Sequence, residues 1–171
     1  MVQARRMLAS LYYELALAEL LADQPVPAEA HAAKMIEDDP AQKIQGGILR
    51  AMIALQAQQG ARAASLLKGL PEGTVKEVPT LPMLVSLCAL AAGDPAGARA
   101  AVENQSWLNQ HMLVLYTRML DNNPKQKLMQ SARPLALQIY LTLRPDFTLL
   151  AGARADEISV PFSHTRYPSS L

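Results

Sequence analysis

The run Leu90-Ala91-Ala92-Gly93-Asp94-Pro95-Ala96-Gly97-Ala98 decides how the chain folds. Its first three residues end a stretch, beginning near Leu81, whose apolar side chains recur at helical spacing and which carries no charge. Gly93 and Pro95 punctuate that pattern, and a second, alanine-rich helical stretch opens directly after them. A connection this short turns the second helix back against the first, and Ala98, five residues past the glycine, has the small side chain that lets the two approach.

The same arrangement is written upstream. Helical text ends near Asp23 and Gly60 as it does near Gly93, with 37 and 33 residues between the breaks, and alanines open the helix after each. In the first unit Ala28 stands five residues beyond Asp23, as Ala98 does beyond Gly93. In the second unit the small residue falls later, at Ala64 or Ser65. The spacing predicts a repeat of helical hairpins, each of which hides its apolar face only by stacking on its neighbours. Further breaks lie at Gln24-Pro25-Val26-Pro27, Asp39-Pro40, Leu70-Pro71-Glu72-Gly73 and Asn122-Asn123-Pro124. Helices are therefore expected at about 4–22, 27–38, 41–58, 61–69, 81–92, 95–104, 107–121, 125–131 and 134–143. No period-two pattern of β-branched or aromatic residues interrupts them, so the expected fold class is all-α.

The hairpin text resembles the tetratricopeptide family, whose first helix carries aromatic-x2-Leu-small-x2-aromatic, followed by a small residue in the second helix and a closing proline. Tyr12, Leu15 and Ala16 fall at the first-helix positions, Ala28 at the second-helix position, and Pro40 closes the unit after Ile36-Glu37-Asp38-Asp39. Glu19 departs from the pattern, standing where an aromatic is usual. The likeness covers roughly residues 9–104. It implies a short α-solenoid over residues 1–150, with a degenerate last hairpin and a C-terminal capping helix within 105–145. In such an array the first helix of each unit lines a concave face. Tyr13, Leu17 and Leu21 from the first unit, and Met83, Leu87 and Leu90 from the third, would then be partner-binding residues looking into that groove, the alternatives being that they are plain core or are buried in a homodimer. An apolar groove of this kind suits an amphipathic helix of another protein. The run Leu87 to Pro95 is also similar to the small repeat chaperones and accessory proteins of bacterial type III secretion. That likeness implies a cytoplasmic chaperone shielding the apolar helix of an export substrate.

Composition bounds the function. Hydrophobic residues make up 50% of the 171 and charged residues 18%, too apolar for a disordered chain and sparing in surface charge, which points to apolar surface meeting a partner. A net charge of +1, with basic residues scattered, argues against nucleic acid. The single cysteine, Cys88, can close no internal disulfide and fits a reducing compartment. The apolar stretch from about Val78 to Gly93 holds Pro79 and Pro82 and is shorter than the roughly 20 residues that cross a bilayer, so no membrane span is expected. Residues 151–171 differ in character: Ser159 to Leu171 holds two prolines, four serines and no apolar period, and reads as a flexible or partner-ordered tail.

His31, His111 and His164 lie far apart with no Cys, His or carboxylate at ligand spacing, and no phosphate loop, nucleophile elbow or carboxylate pair is present. No cofactor, metal or catalysis is therefore expected. On a helical wheel Arg6, Ser10 and Glu14 form one narrow polar row of the first helix, and Met7, Leu8, Leu11, Tyr12, Tyr13, Leu15, Leu17, Leu20 and Leu21 cover most of the rest. A helix so nearly apolar all round is buried on more than one side. Two readings follow: an adaptor or chaperone holding a partner helix, or a structural subunit with these helices buried in a permanent oligomer or homodimer. The helix from Trp107, with Met112, Leu113, Leu115, Tyr116 and Met119, reads more as core than as a binding stripe, with Trp107 able to anchor an interface.

Overall fold

The computed structural model describes residues 2–71, 73–74, 78 and 80–143, with side chains as far as Ile139; the tail expected over 151–171 lies outside them. The described residues are helical, with no strand among them. The elements are α1 (Val2–Leu21), α2 (Pro25–Asp38), a 3-10 turn (Pro40–Gln42), α3 (Lys43–Gln56), α4 (Gly60–Lys68), α5 (Leu81–Ala91), α6 (Pro95–Val102), α7 (Trp107–Asn122), α8 (Leu128–Ser131) and α9 (Arg133–Leu143). Each lies within a few residues of its expected span. Prolines stand in the first turn of α2, α5 and α6, where the missing N–H leaves no helical bond unmade. Pro134 has the same place in α9, so the break expected there is a helix start.

The hairpins repeat with a period that the breaks in the sequence only approximate. Asp23, Gln58 and Gly93, 35 residues apart, all take positive φ, at 61°, 61° and 79°. The next residue in each case, Gln24, Gln59 and Asp94, donates its N–H back to the carbonyl five residues earlier, on Glu19, Ala54 and Ala89, at 2.9, 2.8 and 2.9 Å. This is one helix-terminating turn used three times. Two residues on, α2, α4 and α6 begin at Pro25, Gly60 and Pro95. The small residue of the second unit is accordingly Ala63, not Ala64 or Ser65, and Ala28, Ala63 and Ala98 are all buried. Gly60 is not the turn residue. A Cβ there would run into the backbone of Ala91, so the glycine lets the start of α4 press on the end of α5.

Packing follows the same period. The helices pair as α1 with α2, α3 with α4 and α5 with α6, while α1 touches α3, α3 touches α5 and α5 touches α7. The second helix of each pair also packs on the next first helix: α2 on α3, α4 on α5, α6 on α7. Equivalent residues fill equivalent places, Tyr13 with Ile48 and Met83, Leu17 with Met52 and Leu87, Ala16 with Ala51 and Ser86, and all of these are buried. Ser86 is the polar member of its set, and its Oγ donates to the carbonyl of Ala98 across the hairpin at 2.8 Å.

Glu19 is held inside the first hairpin. Its Oε2 lies 2.7 Å from His31 Nδ1 on α2, and the imidazole stacks on Tyr12 with centroids 5.7 Å apart. A hydrogen-bonding and stacking contact thus ties α1 to α2. Asp39 caps the 3-10 turn, its Oδ1 accepting from the N–H of Ala41 at 3.2 Å.

After α7 the regular pattern stops. The chain turns at Pro124 and returns as α8, which packs on α3 and on α9. Lys127 Nζ pairs with Asp23 at 2.9 Å, Arg133 donates to the carbonyl of Leu21, and Gln58 donates to the carbonyl of Lys125. The segment expected to cap the last unit lies instead across the turn ends of α1 and α3.

Candidate functional site

The six residues expected to line a groove do not form an open surface. Tyr13, Leu17, Met83 and Leu87 are buried, and Leu21 and Leu90 are half-buried. The cause is the repeat itself. Tyr13 and Leu17 on α1 and Met83 and Leu87 on α5 are equivalent in the repeat to Ile48 and Met52 on α3, which are buried as well. Leu21 lies against the returning segment, in a space of only about 10 Å³ shared with Met129, Arg133 and Ala136. Four of the six are therefore core, and only Leu90 borders a large cavity.

That cavity, about 740 Å³, opens between the α5–α6 hairpin and α7. Its apolar lining is Leu90, Val102, Leu113 and Val114, with Arg99, Glu103 and Arg118 at its margins. The sequence makes the space by withholding side chains: α6 reads Pro95-Ala96-Gly97-Ala98-Arg99-Ala100-Ala101-Val102, so the helix facing α7 carries little bulk. Asp94 caps α6 by accepting from the Gly97 N–H at 2.8 Å, and its carboxylate fills the place a Cβ on Gly97 would take. Ser106 accepts from the Asn109 N–H at the start of α7. Gln110 then pins the α6–α7 connection by donating to the carbonyls of Glu103 and Gln105 at 3.1 and 3.2 Å.

The helix expected to be core is only partly so. Leu113 and Tyr116 are the buried residues of α7, whereas Trp107 is 72% exposed and Leu108, Val114 and Leu115 are also exposed. Trp107 stacks on His111, centroids 4.7 Å apart. Arg99 and Arg118 have no ion-pair partner among the described residues. The signal that could have found this site is the run of small residues in α6, which leaves part of the apolar surface of α7 without anything among the described residues to pack against.

Chemistry is sparse elsewhere. Among the described residues no His, Cys, Asp and Glu gather into a metal-binding group, and no helix is long and apolar enough to cross a membrane. Cys88 is buried in α5, and burial pushes its thiol up to about 12, far from a nucleophile's range. Helical hairpins and an apolar cavity with Arg99, Glu103 and Arg118 beside it define an all-α fold over the described residues. Compared with family models, with curated proteins and with solved structures, the chain gives no significant match to any.

Proposed function

We propose that the chain is a tetratricopeptide-like helical-repeat module that holds an amphipathic helical segment of another protein. The seat of that segment is the groove between α6 and α7, not the buried stacking faces of α1 and α5. The observation that carries this reading is the apolar cavity lined by Leu90, Val102, Leu113 and Val114 beside two arginines without ion-pair partners among the described residues. A helix laid there buries its apolar face on the floor and meets Arg99 and Arg118 with its own carboxylates. The 35-residue recurrence of turn, small residue and stacking position supports the repeat reading, as does the pattern of first-helix and second-helix contacts. Shielding an apolar helix before delivery, in the cytoplasm and in the manner of the secretion chaperones, is the cellular role that fits such a groove.

The test begins with a photoreactive residue at position 114 in the native host, which captures whatever occupies the groove. Peptides tiled along the captured protein are then titrated against the purified chain. One amphipathic, acidic-flanked segment should bind, and Val114→Glu and Arg118→Glu should each weaken it at least about tenfold while the melting temperature holds. Unchanged affinity in both variants would remove the groove from the reading.

A further inference from the structure

α1 has two apolar faces, and the fold uses one. Ala9, Tyr13, Ala16, Leu17 and Leu20 are buried. On the opposite side Ala4, Leu8, Leu11, Leu15, Ala18 and, just past the helix end, Ala22 are exposed, Leu11 to 52%. These six stand alternately four and three residues apart along the whole helix, the spacing at which one helix seats its side chains between those of another. A side chain in that stripe lies on the far face from the hairpin and adds nothing to its core.

The stripe is complementary to itself. Set antiparallel on a second copy, with Leu11 of one copy opposite Leu15 of the other, it places Leu8 over Ala18 and Ala4 over Ala22, so the large residue at one level meets a small one. The positions flanking the stripe decide the direction. In the antiparallel setting Arg5 meets Glu19 of the other copy twice, and Glu14 meets Glu14 once near the axis. In the parallel setting Glu14 meets Glu19 on both sides, and Arg5 has no acidic partner. We infer that this chain forms a twofold dimer in which the outer face of α1 pairs antiparallel with the same face of a second copy. A seam one helix long, about 30 Å, buries less than the roughly 1,200–2,000 Å² of a standard interface, so the dimer exchanges with monomer in the micromolar range. This pairing stands apart from the α6–α7 groove and leaves it free at the other end of each chain.

Sedimentation equilibrium of the full chain from about 1 to 500 µM reads the association directly. The mass should climb from 18.6 kDa toward twice that value and stop there. Leu11→Glu and Leu15→Glu, both at exposed positions, should hold the chain monomeric throughout with an unaltered circular dichroism spectrum. Direction is read by mixing Leu11→Cys and Leu15→Cys chains under diamide, which takes up the two thiol hydrogens as the disulfide forms; the buried Cys88 stays out of the exchange. The mixture should cross-link while each variant alone does not. A mass fixed at 18.6 kDa would leave the stripe to a different partner and overturn the dimer, and growth beyond two copies would point to α1 stacking on the exposed face of α7. Undiminished association of the glutamate variants, or self-cross-linking of either cysteine variant alone, would overturn it equally.

Discussion

Asp23 and Lys127 are 104 residues apart and form an ion pair at 2.9 Å, with the Asp23 carboxylate also accepting from Gln130. Asp23 is thereby committed twice. Its backbone takes the positive φ that ends α1, and its side chain anchors the returning C-terminal segment. The equivalent residue one repeat later, Gln58, does the same, with positive φ and a bond from its amide to the carbonyl of Lys125. Two of the three turns are thus filled by side-chain donors or acceptors where glycine is the cheaper conformer. The third is Gly93, which faces no such segment and has kept the glycine.

That division predicts substitutions of opposite sign. Gly93→Ala meets no atom within contact range, so its cost is the backbone alone, about 1–2 kcal/mol. Gln58→Gly relieves the same strain and gives up only an exposed hydrogen bond, so it should stabilise by about 0.5–1 kcal/mol. Asp23→Ala retains the strain and loses the half-exposed pair with Lys127, so it should destabilise by no more than about 1 kcal/mol. Urea titrations of the three variants, compared at constant m-value, measure each difference; a destabilised Gln58→Gly would show that the turn does not carry the strain its φ implies.

Much of the fold was legible because proline and glycine mark the hairpin ends, and Pro25, Pro82, Pro95 and Pro134 each stand in the first turn of a helix. The period was less legible. Gly60 looked like the turn because glycine is the usual turn residue, yet it is used for close packing on Ala91, while Gln58 turns without advertising it. The burial of four of the six expected groove residues was illegible for a related reason. Helical spacing says that Tyr13, Leu17, Met83 and Leu87 share a face, but not whether that face meets a groove or the next first helix. The stacking of α1 on α3 and of α3 on α5 is a non-local fact.

The corrected register is testable. Ala63 is fully buried at the place of Ala28 and Ala98, whereas Ala64 is half-buried. Ala63→Leu should overpack the hairpin and destabilise by about 1–3 kcal/mol, Ala98→Leu similarly, and Ala64→Leu by much less. Thermal melts of the three variants rank them. Equal losses for Ala63→Leu and Ala64→Leu would put the second unit out of step with the other two.

Cys88 gives a prediction with a pH sign. Burial holds its thiol neutral up to about 12 in the folded chain, against an ordinary value near 9. Below about pH 9 both folded and unfolded chains carry the neutral thiol, and its contribution to stability is fully present. Between about 9 and 12 the unfolded chain gives up the proton and the folded chain does not. Stability then falls by about 1.4 kcal/mol per pH unit, and this loss ends once the folded thiol ionises as well. Tyr116, also raised by burial and donating to the carbonyl of Ser131, adds a loss of the same sign at higher pH. Denaturation curves from pH 8 to 11 should therefore slope downward, and Cys88→Ala should remove the part that begins near pH 9 while leaving the part due to Tyr116. Labelling gives an independent reading: at pH 8 a thiol-directed reagent should modify the native chain only at the rate at which α5 opens, and accelerate sharply in denaturant. Rapid labelling of the native chain would mean that the thiol is not buried, and the alkaline slope would then need another source.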